Sequence, residues 1–144
     1  MASAELTFVD TNVLAYAHDK SDGRKQALAQ TVLEELWASR SGIISTQVLQ
    51  EFCVVATRKF VPPMSRRAAR GIVAIYSTWV VIQVDVPLIV TASEIEERHK
   101  LSFWDALIIE AAHRAGATRL LSEDLQTGRT ISEIRIDNPF AEAS

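Results

Sequence analysis

The sequence predicts an α/β fold, a parallel β-sheet with helices on both of its faces. Short apolar runs of β type alternate along the chain with stretches of helical periodicity. Strands separated in this way by helices pair in parallel, through right-handed crossovers. No internal repeat or shift of composition marks a boundary, and 144 residues suit one domain, taken as 1–144. Strand order does not follow from the pattern.

Leu6–Val9 reads as a buried strand, and Asp10-Thr11-Asn12 follows as a turn and helix start. Ser21-Asp22 opens a helix over about 23–40, with Ala27, Val32, Leu33 and Leu36 on its apolar side. Gly42–Ser45 is a second strand. Thr46 starts a helix through about Phe60, which Pro62-Pro63 ends. Ser65 caps the next helix, to about Tyr76, and Val80–Val84 is a third strand. Residues 86–99 and 103–115 are helical, with Gly116 as a C-terminal stop. Thr118–Leu121 is a fourth strand and Glu133–Ile136 a fifth.

Composition excludes several classes. At 48% apolar and 23% charged the chain is ordinary for a globular protein. Cys53 is the only cysteine, so no internal disulfide argues for secretion. The first residues have neither the basic start nor the apolar run of a leader, and no window is apolar enough for a membrane span. A cytoplasmic protein is expected. The net charge of −3 argues against nucleic-acid binding by bulk electrostatics. Arg58, Lys59, Arg66, Arg67 and Arg70 form one local cluster that can meet phosphate, although its plainer reading is a solvated helix face.

Four acids stand where acids are costly. Glu51 has Val48 and Val55 as its surface neighbours at helical spacing, and Ile108, Ile109 and Ala112 flank Asp105 in the same way. Desolvating a carboxylate costs several kcal/mol unless it is paired. Asp10 and Asp124 lie at or just past the ends of apolar strands, where the crevice of a parallel sheet binds ligands. Each has a plainer explanation. Asp10 can cap the helix after it, and Ser102-x-x-Asp105 is a capping-box pattern. Glu51 can pair with a buried arginine, and Asp124 can be a turn residue. One shared site explains all four together.

Two carboxylates about 4 Å apart repel by about 4 kcal/mol at an effective dielectric of 20, so such a cluster takes up protons or a cation. No lysine lies within three residues of any of the four. All-oxygen ligands suit Mg²⁺ or Mn²⁺. His18, His99 and His113 lack metal-ligand spacing and Cys53 stands alone, which argues against a zinc site. A hard cation on carboxylates suggests phosphate chemistry through an activated water.

The order of these motifs resembles the PIN-domain family, and within it the VapC type of toxin. The stretches that carry the likeness are Asp10-Thr11-Asn12-Val13-Leu14, Thr46–Phe52 around Glu51, Leu101–Ile108 around Asp105, and Leu121–Gly128 around Asp124, spanning residues 6 to 128. The resemblance implies a three-layer α/β/α sandwich. It implies an endoribonuclease that uses Mg²⁺ or Mn²⁺, forms a homodimer and is silenced by a cognate antitoxin whose tail crosses the active-site groove. Asp10 and Asp105 would be the principal metal ligands, and Glu51 and Asp124 would complete the acidic pocket. Asn12 and Ser122 would orient the acids by hydrogen bonds. Of the adjacent Glu123 and Asp124, the family pattern favours Asp124.

Trp104, beside Asp105, can stack on an RNA base, but a buried core or interface tryptophan is the simpler expectation; Trp37 and Trp79 read as core. The helix over 65–76, with the one before it, is a candidate antitoxin or dimer surface. An α/β phosphatase or phosphoryl-accepting domain is the alternative reading. It wants a second acid where Asn12 stands, or a lysine after a late strand, and Lys20, Lys25, Lys59 and Lys100 supply none there. A catalytically dead binding module has no reason to keep four acids.

Overall fold

The computed structural model describes residues 4–125 and 127–141; residues 1–3, Gln126 and 142–144 lie outside it. In chain order the elements are β1 (Thr7–Val9), α1 (Thr11–His18), α2 (Gly23–Ser39), β2 (Gly42–Ser45), α3 (Thr46–Arg58), α4 (Arg66–Tyr76), β3 (Val80–Ile82), α5 (Val86–His99), α6 (Phe103–Arg114), β4 (Arg119–Leu121), β5 (Thr130–Ile131) and β6 (Ile134–Asp137).

The strands form one sheet in the order β3-β2-β1-β4-β6-β5. Four of the pairings are parallel, and the edge pair β5–β6 is antiparallel. The three-layer α/β/α class is therefore present, but the sheet is mixed rather than wholly parallel. Connections run from β1 outward to β2 and β3, then return across the sheet from β3 to β4. Right-handed crossovers in opposite directions put their helices on opposite faces. α1 packs against α2 and α3, α3 against α4, and α5 against α6. The two directions part between β1 and β4, which makes that gap the topological switch point of the sheet.

The residues of β1 are all buried, as a central strand covered on both faces requires. Phe8, Ile43, Ile44 and Leu120 bury completely in the sheet, with Leu14, Phe52 and Leu88 packed from the helices. Side-chain caps set the helix starts: Asp22 accepts from Lys25 N–H, Ser45 from Val48, Ser65 from Ala68 and Asp85 from Leu88. Gly116 takes a left-handed φ of 80° just past α6, as the stop signal predicts.

The predicted third strand ends two residues early, at Ile82. β5 is absent from the sequence reading, and β6 is shifted by one residue from the strand expected there. Trp37, expected in the core, is 36% exposed, and Trp79 is half-buried. They form an aromatic cluster with Tyr76, Trp79 lying 5.1 Å from both other rings between centroids. The cluster presses on β2 at Gly42, where a Cβ would stand 2.5 Å from the Trp79 ring. Gly42→Ala should therefore cost about 1–3 kcal/mol by overpacking. A urea titration that finds the variant as stable as wild type would show that the indole can move away.

Candidate active site

Four elements bring the predicted acids to the switch point. β1 ends directly before Asp10, and Ser122 and Asp124 follow β4; α3 carries Glu51, and the first turn of α6 carries Asp105. All four acids line one cavity of about 90 Å³, together with Thr11, Asn12, Gln47, Trp104 and Ile108.

Asp10 is the most constrained of them, only 7% exposed. One carboxylate oxygen accepts from the Thr11 N–H at 2.7 Å, which is the capping role, and the other accepts from the Ser122 hydroxyl at 2.8 Å. Burial pushes its carboxyl up to about 6; these two hydrogen bonds pull it back, and the charges of Glu51 and Asp124 push it further up. Ser122 is fully buried, and its Oγ also accepts from the backbone N–H groups of Asp124 and Leu125 at 3.2 and 3.3 Å. A single hydroxyl thus ties the loop after β4 to the acid after β1.

The Asn12 side-chain amide donates to Asp124 Oδ2 at 3.0 Å, and its carbonyl oxygen accepts from the Glu123 N–H. Glu123 itself turns aside to an ion pair with the Lys25 ammonium and a 3.3 Å contact from the Tyr16 hydroxyl. Of the two adjacent acids, Asp124 is the one that lines the cavity. A search for lysines near each acid in sequence misses Lys25 because it comes from α2, 98 residues away. Ser102 accepts from the Asp105 N–H at 3.1 Å, so half of the predicted capping box forms while the Asp105 side chain lines the cavity.

Two residues were missed. The Thr11 hydroxyl donates to Glu51 Oε1 at 2.9 Å. Gln47, one turn before Glu51 on α3, donates to the Trp104 carbonyl at 3.3 Å and leaves its Oε1 buried without a partner. The i, i+4 spacing from Gln47 to Glu51 was the available signal. Trp104 is 64% exposed, so it is not a core tryptophan: its place in the first turn of α6 leaves its indole at the cavity mouth. Gln126, within the fourth acidic motif, lies outside the described residues.

Among the described residues, no three His, Cys, Asp or Glu side chains stand close enough together to hold one ion. The cavity is not a closed protein cage, and Mg²⁺ does not ask for one: it keeps several waters and takes one or two carboxylates. The all-oxygen donor set and the orphaned Gln47 Oε1 fit such a partly hydrated hard cation.

The PIN domain family matches residues 7–130, and the chain belongs to that family. Among solved structures it is similar to VapC20 of Mycobacterium tuberculosis, a toxin that cleaves the sarcin–ricin loop, at 28% identity over 82% of this chain and 91% of that one (TM-score 0.63). It shares its fold with a toxin–antitoxin complex from Klebsiella pneumoniae, at 20% identity over 92% and 97% of the two chains (TM-score 0.69). It likewise resembles the DNA-bound VapBC of Salmonella typhimurium, at 17% identity over 94% and 99% (TM-score 0.65). Comparison with curated proteins gave no match. The resemblance to VapC-type PIN proteins is thus upheld. No helix is long and apolar enough to cross a membrane among the described residues.

The raised Asp10 carboxyl has a consequence for stability. Between its unfolded value near 3.9 and its folded value of about 6, the folded protein holds a proton that the unfolded chain has released. Stability therefore falls as pH rises through that window and stays lower above it. In EDTA, wild type should lose on the order of 2–3 kcal/mol relative to Asp10→Asn between pH 4 and pH 7. Urea unfolding at several pH values reads the difference, and a gap that does not change with pH would contradict the assignment.

Proposed function

We propose that the chain is a metal-dependent endoribonuclease acting as the toxin of a toxin–antitoxin pair, folded as a single PIN domain over 1–144. The observation that carries this reading is the meeting of Asp10, Glu51, Asp105 and Asp124 on one cavity at the switch point of a PIN-family sheet. The likeness to a sarcin–ricin-loop-cleaving toxin supports RNA as the substrate. The toxin–antitoxin complexes of the same fold support an antitoxin partner.

Mg²⁺ or Mn²⁺ would be held by Asp10 and Asp105 directly, with Glu51 and Asp124 completing the set directly or through water. A bound ion supplies positive charge at the scissile phosphate and makes its bound water a nucleophile near neutral pH. The chain's own groups do the positioning. Ser122 and the Thr11 N–H hold the two Asp10 oxygens, the Thr11 hydroxyl holds Glu51, and the Asn12 amide holds Asp124. Orienting contacts of this kind are worth about 10–100-fold in metal affinity or activity. Lys25 keeps Glu123 out of the cavity and so limits the number of repelling carboxylates there. The exposed Trp104 ring at the mouth offers a stacking face to an RNA base. Val86, Ile89 and Val90 give α5 an exposed apolar stripe that suits a second copy of the chain in a cytoplasmic homodimer.

Purified protein should cut structured RNA in Mg²⁺ or Mn²⁺ and stop in EDTA. Asp10→Ala and Asp105→Ala should each cut at least about 100-fold more slowly, since a direct ligand is worth no less than its orienting contacts. Expression of wild type should arrest growth, and the same substitutions should relieve the arrest. Variants that cleave as fast as wild type would remove the site assignment, and a wild type that cuts no RNA with either metal would remove the ribonuclease reading.

A second prediction concerns the paired acids after β4. Asp124→Ala should lower cleavage far more than Glu123→Ala, because only Asp124 lines the cavity. Equal losses in kcat at matched metal concentration would show that Glu123 swings in to share the site.

A further inference from the structure

From Phe52 to Val84 the chain has no Asp or Glu, yet it carries Arg58, Lys59, Arg66, Arg67 and Arg70 in a protein of net charge −3. The fold gathers these five. Arg58 ends α3 and Lys59 caps it, and the three arginines of α4 fall in its first two turns. All five are exposed, and among the described residues none forms a salt bridge. Like charges held together without counter-charges leave a local positive field for an anion.

Two concave surfaces adjoin this cluster. Between α3 and α4 runs a groove of about 290 Å³, with Val54 and Ala69 in its wall and Arg58, Arg66 and Arg70 around them. Lys59 lines a separate cavity of about 360 Å³ that shares Glu51 and Asp124 with the acid cavity. The two concavities take neighbouring residues of α3 and its cap, Val55 and Lys59 in one and Val54 and Arg58 in the other, so they flank the same helix end.

We propose that Lys59 and the α3–α4 groove bind the phosphate backbone of the RNA strand beyond the cut, as a track that positions the substrate. The inference rests on the ribonuclease reading. A negatively charged protein with four acids at its centre repels RNA, so productive binding needs a compensating field within reach of the site. Guanidinium groups match phosphate oxygens in bidentate geometry, and Arg66 and Arg70, four apart, share one face of α4. Val54, 45% exposed, is the one large aliphatic side chain in the groove's lining; the rest is Cys53, Thr57, Ala69 and the arginines, too small an apolar surface to anchor a protein segment without the charges.

The test uses the triple variant Arg58→Ala, Arg66→Ala, Arg70→Ala and the charge-keeping triple lysine variant. A fluorescent single-stranded RNA long enough to span both cavities is bound in EDTA over a range of KCl. A trinucleotide substrate is cut in Mn²⁺. The alanine variant should bind the long RNA on the order of tenfold more weakly, with its salt slope reduced by about 2, and the lysine variant should keep most of both. KM for cleavage of the long RNA should rise with kcat unchanged, and trinucleotide cleavage should not change. Unchanged long-RNA affinity and slope would overturn the proposal, as would equal loss on both substrates. So would loss of an acidic peptide with RNA binding intact, which would assign the groove to a protein partner. If wild type cuts no RNA, structured or single-stranded, with either metal but binds the long one through these arginines, the ribonuclease reading fails while the phosphate track stands.

Discussion

Asp10 occupies a position where desolvation works against a charge. It follows a strand buried on both faces, it is itself almost fully covered, and two further acids act on it. It survives there because both oxygens have donors, one from the start of α1 and one from Ser122 across the β1–β4 gap. Much else around the site follows from that demand. Ser122 must be buried beside β1, which fixes the loop after β4. That loop then presents Asp124 to Asn12, whose amide spans the same gap. The sheet order places these partners side by side, so the topology and the carboxylate need each other.

The same constraint sorts the other charges. Three more acids on one small cavity would be self-defeating if every nearby carboxylate joined them. Glu123 is drawn off by Lys25 and Tyr16, and the Lys25 ammonium lies 4.6 Å from the Tyr16 ring centroid. Cation–π attraction and the ion pair together hold that lysine in one place. The Asp10 carboxyl, pushed up to about 6, carries the effect of burial first and of the remaining repulsion second. A cation is the natural counterpart of such a group, because its charge offsets the lost hydration that chiefly raised the pKa and the repulsion that added to it.

The parts legible in the sequence were those in which local pattern and tertiary demand agree. Apolar β1 and β4, each followed by an acid, marked the switch-point crevice, and the neighbours of Glu51 at helical spacing marked an inward-facing acid. The β5–β6 hairpin was not legible. Ser132 and Glu133 both take positive φ there, a two-residue turn of the kind usually written Asn-Gly, so the common turn signal is missing. Arg40 and Lys100 end α2 and α5 in left-handed conformations without glycine, which removed two stop signals of the same sort. Lys25 and Thr11 act on their acids across 98 and 40 residues of chain, and no window along the sequence spans those distances. Trp104 stays out of the core, because its place in the first turn of α6 leaves the large apolar ring outside.

Net charge argued against an RNA partner, and the distribution of charge explains why that argument is weak. A polyanion responds to the field within roughly a Debye length, about 8 Å at physiological salt, and not to the sum over the molecule. Here the stretch from Phe52 to Val84 holds five bases and no acid, and it begins directly after one of the cavity's own carboxylates, Glu51. Negative charge that would repel a phosphate thus sits within one helix length of positive charge that would hold its neighbours. α3 carries both, Glu51 at its middle and Arg58 at its end, two turns apart. A rigid helix fixes the distance between the two fields. On the reading proposed above, that distance sets how far a strand must extend from the cut before the protein can grip it.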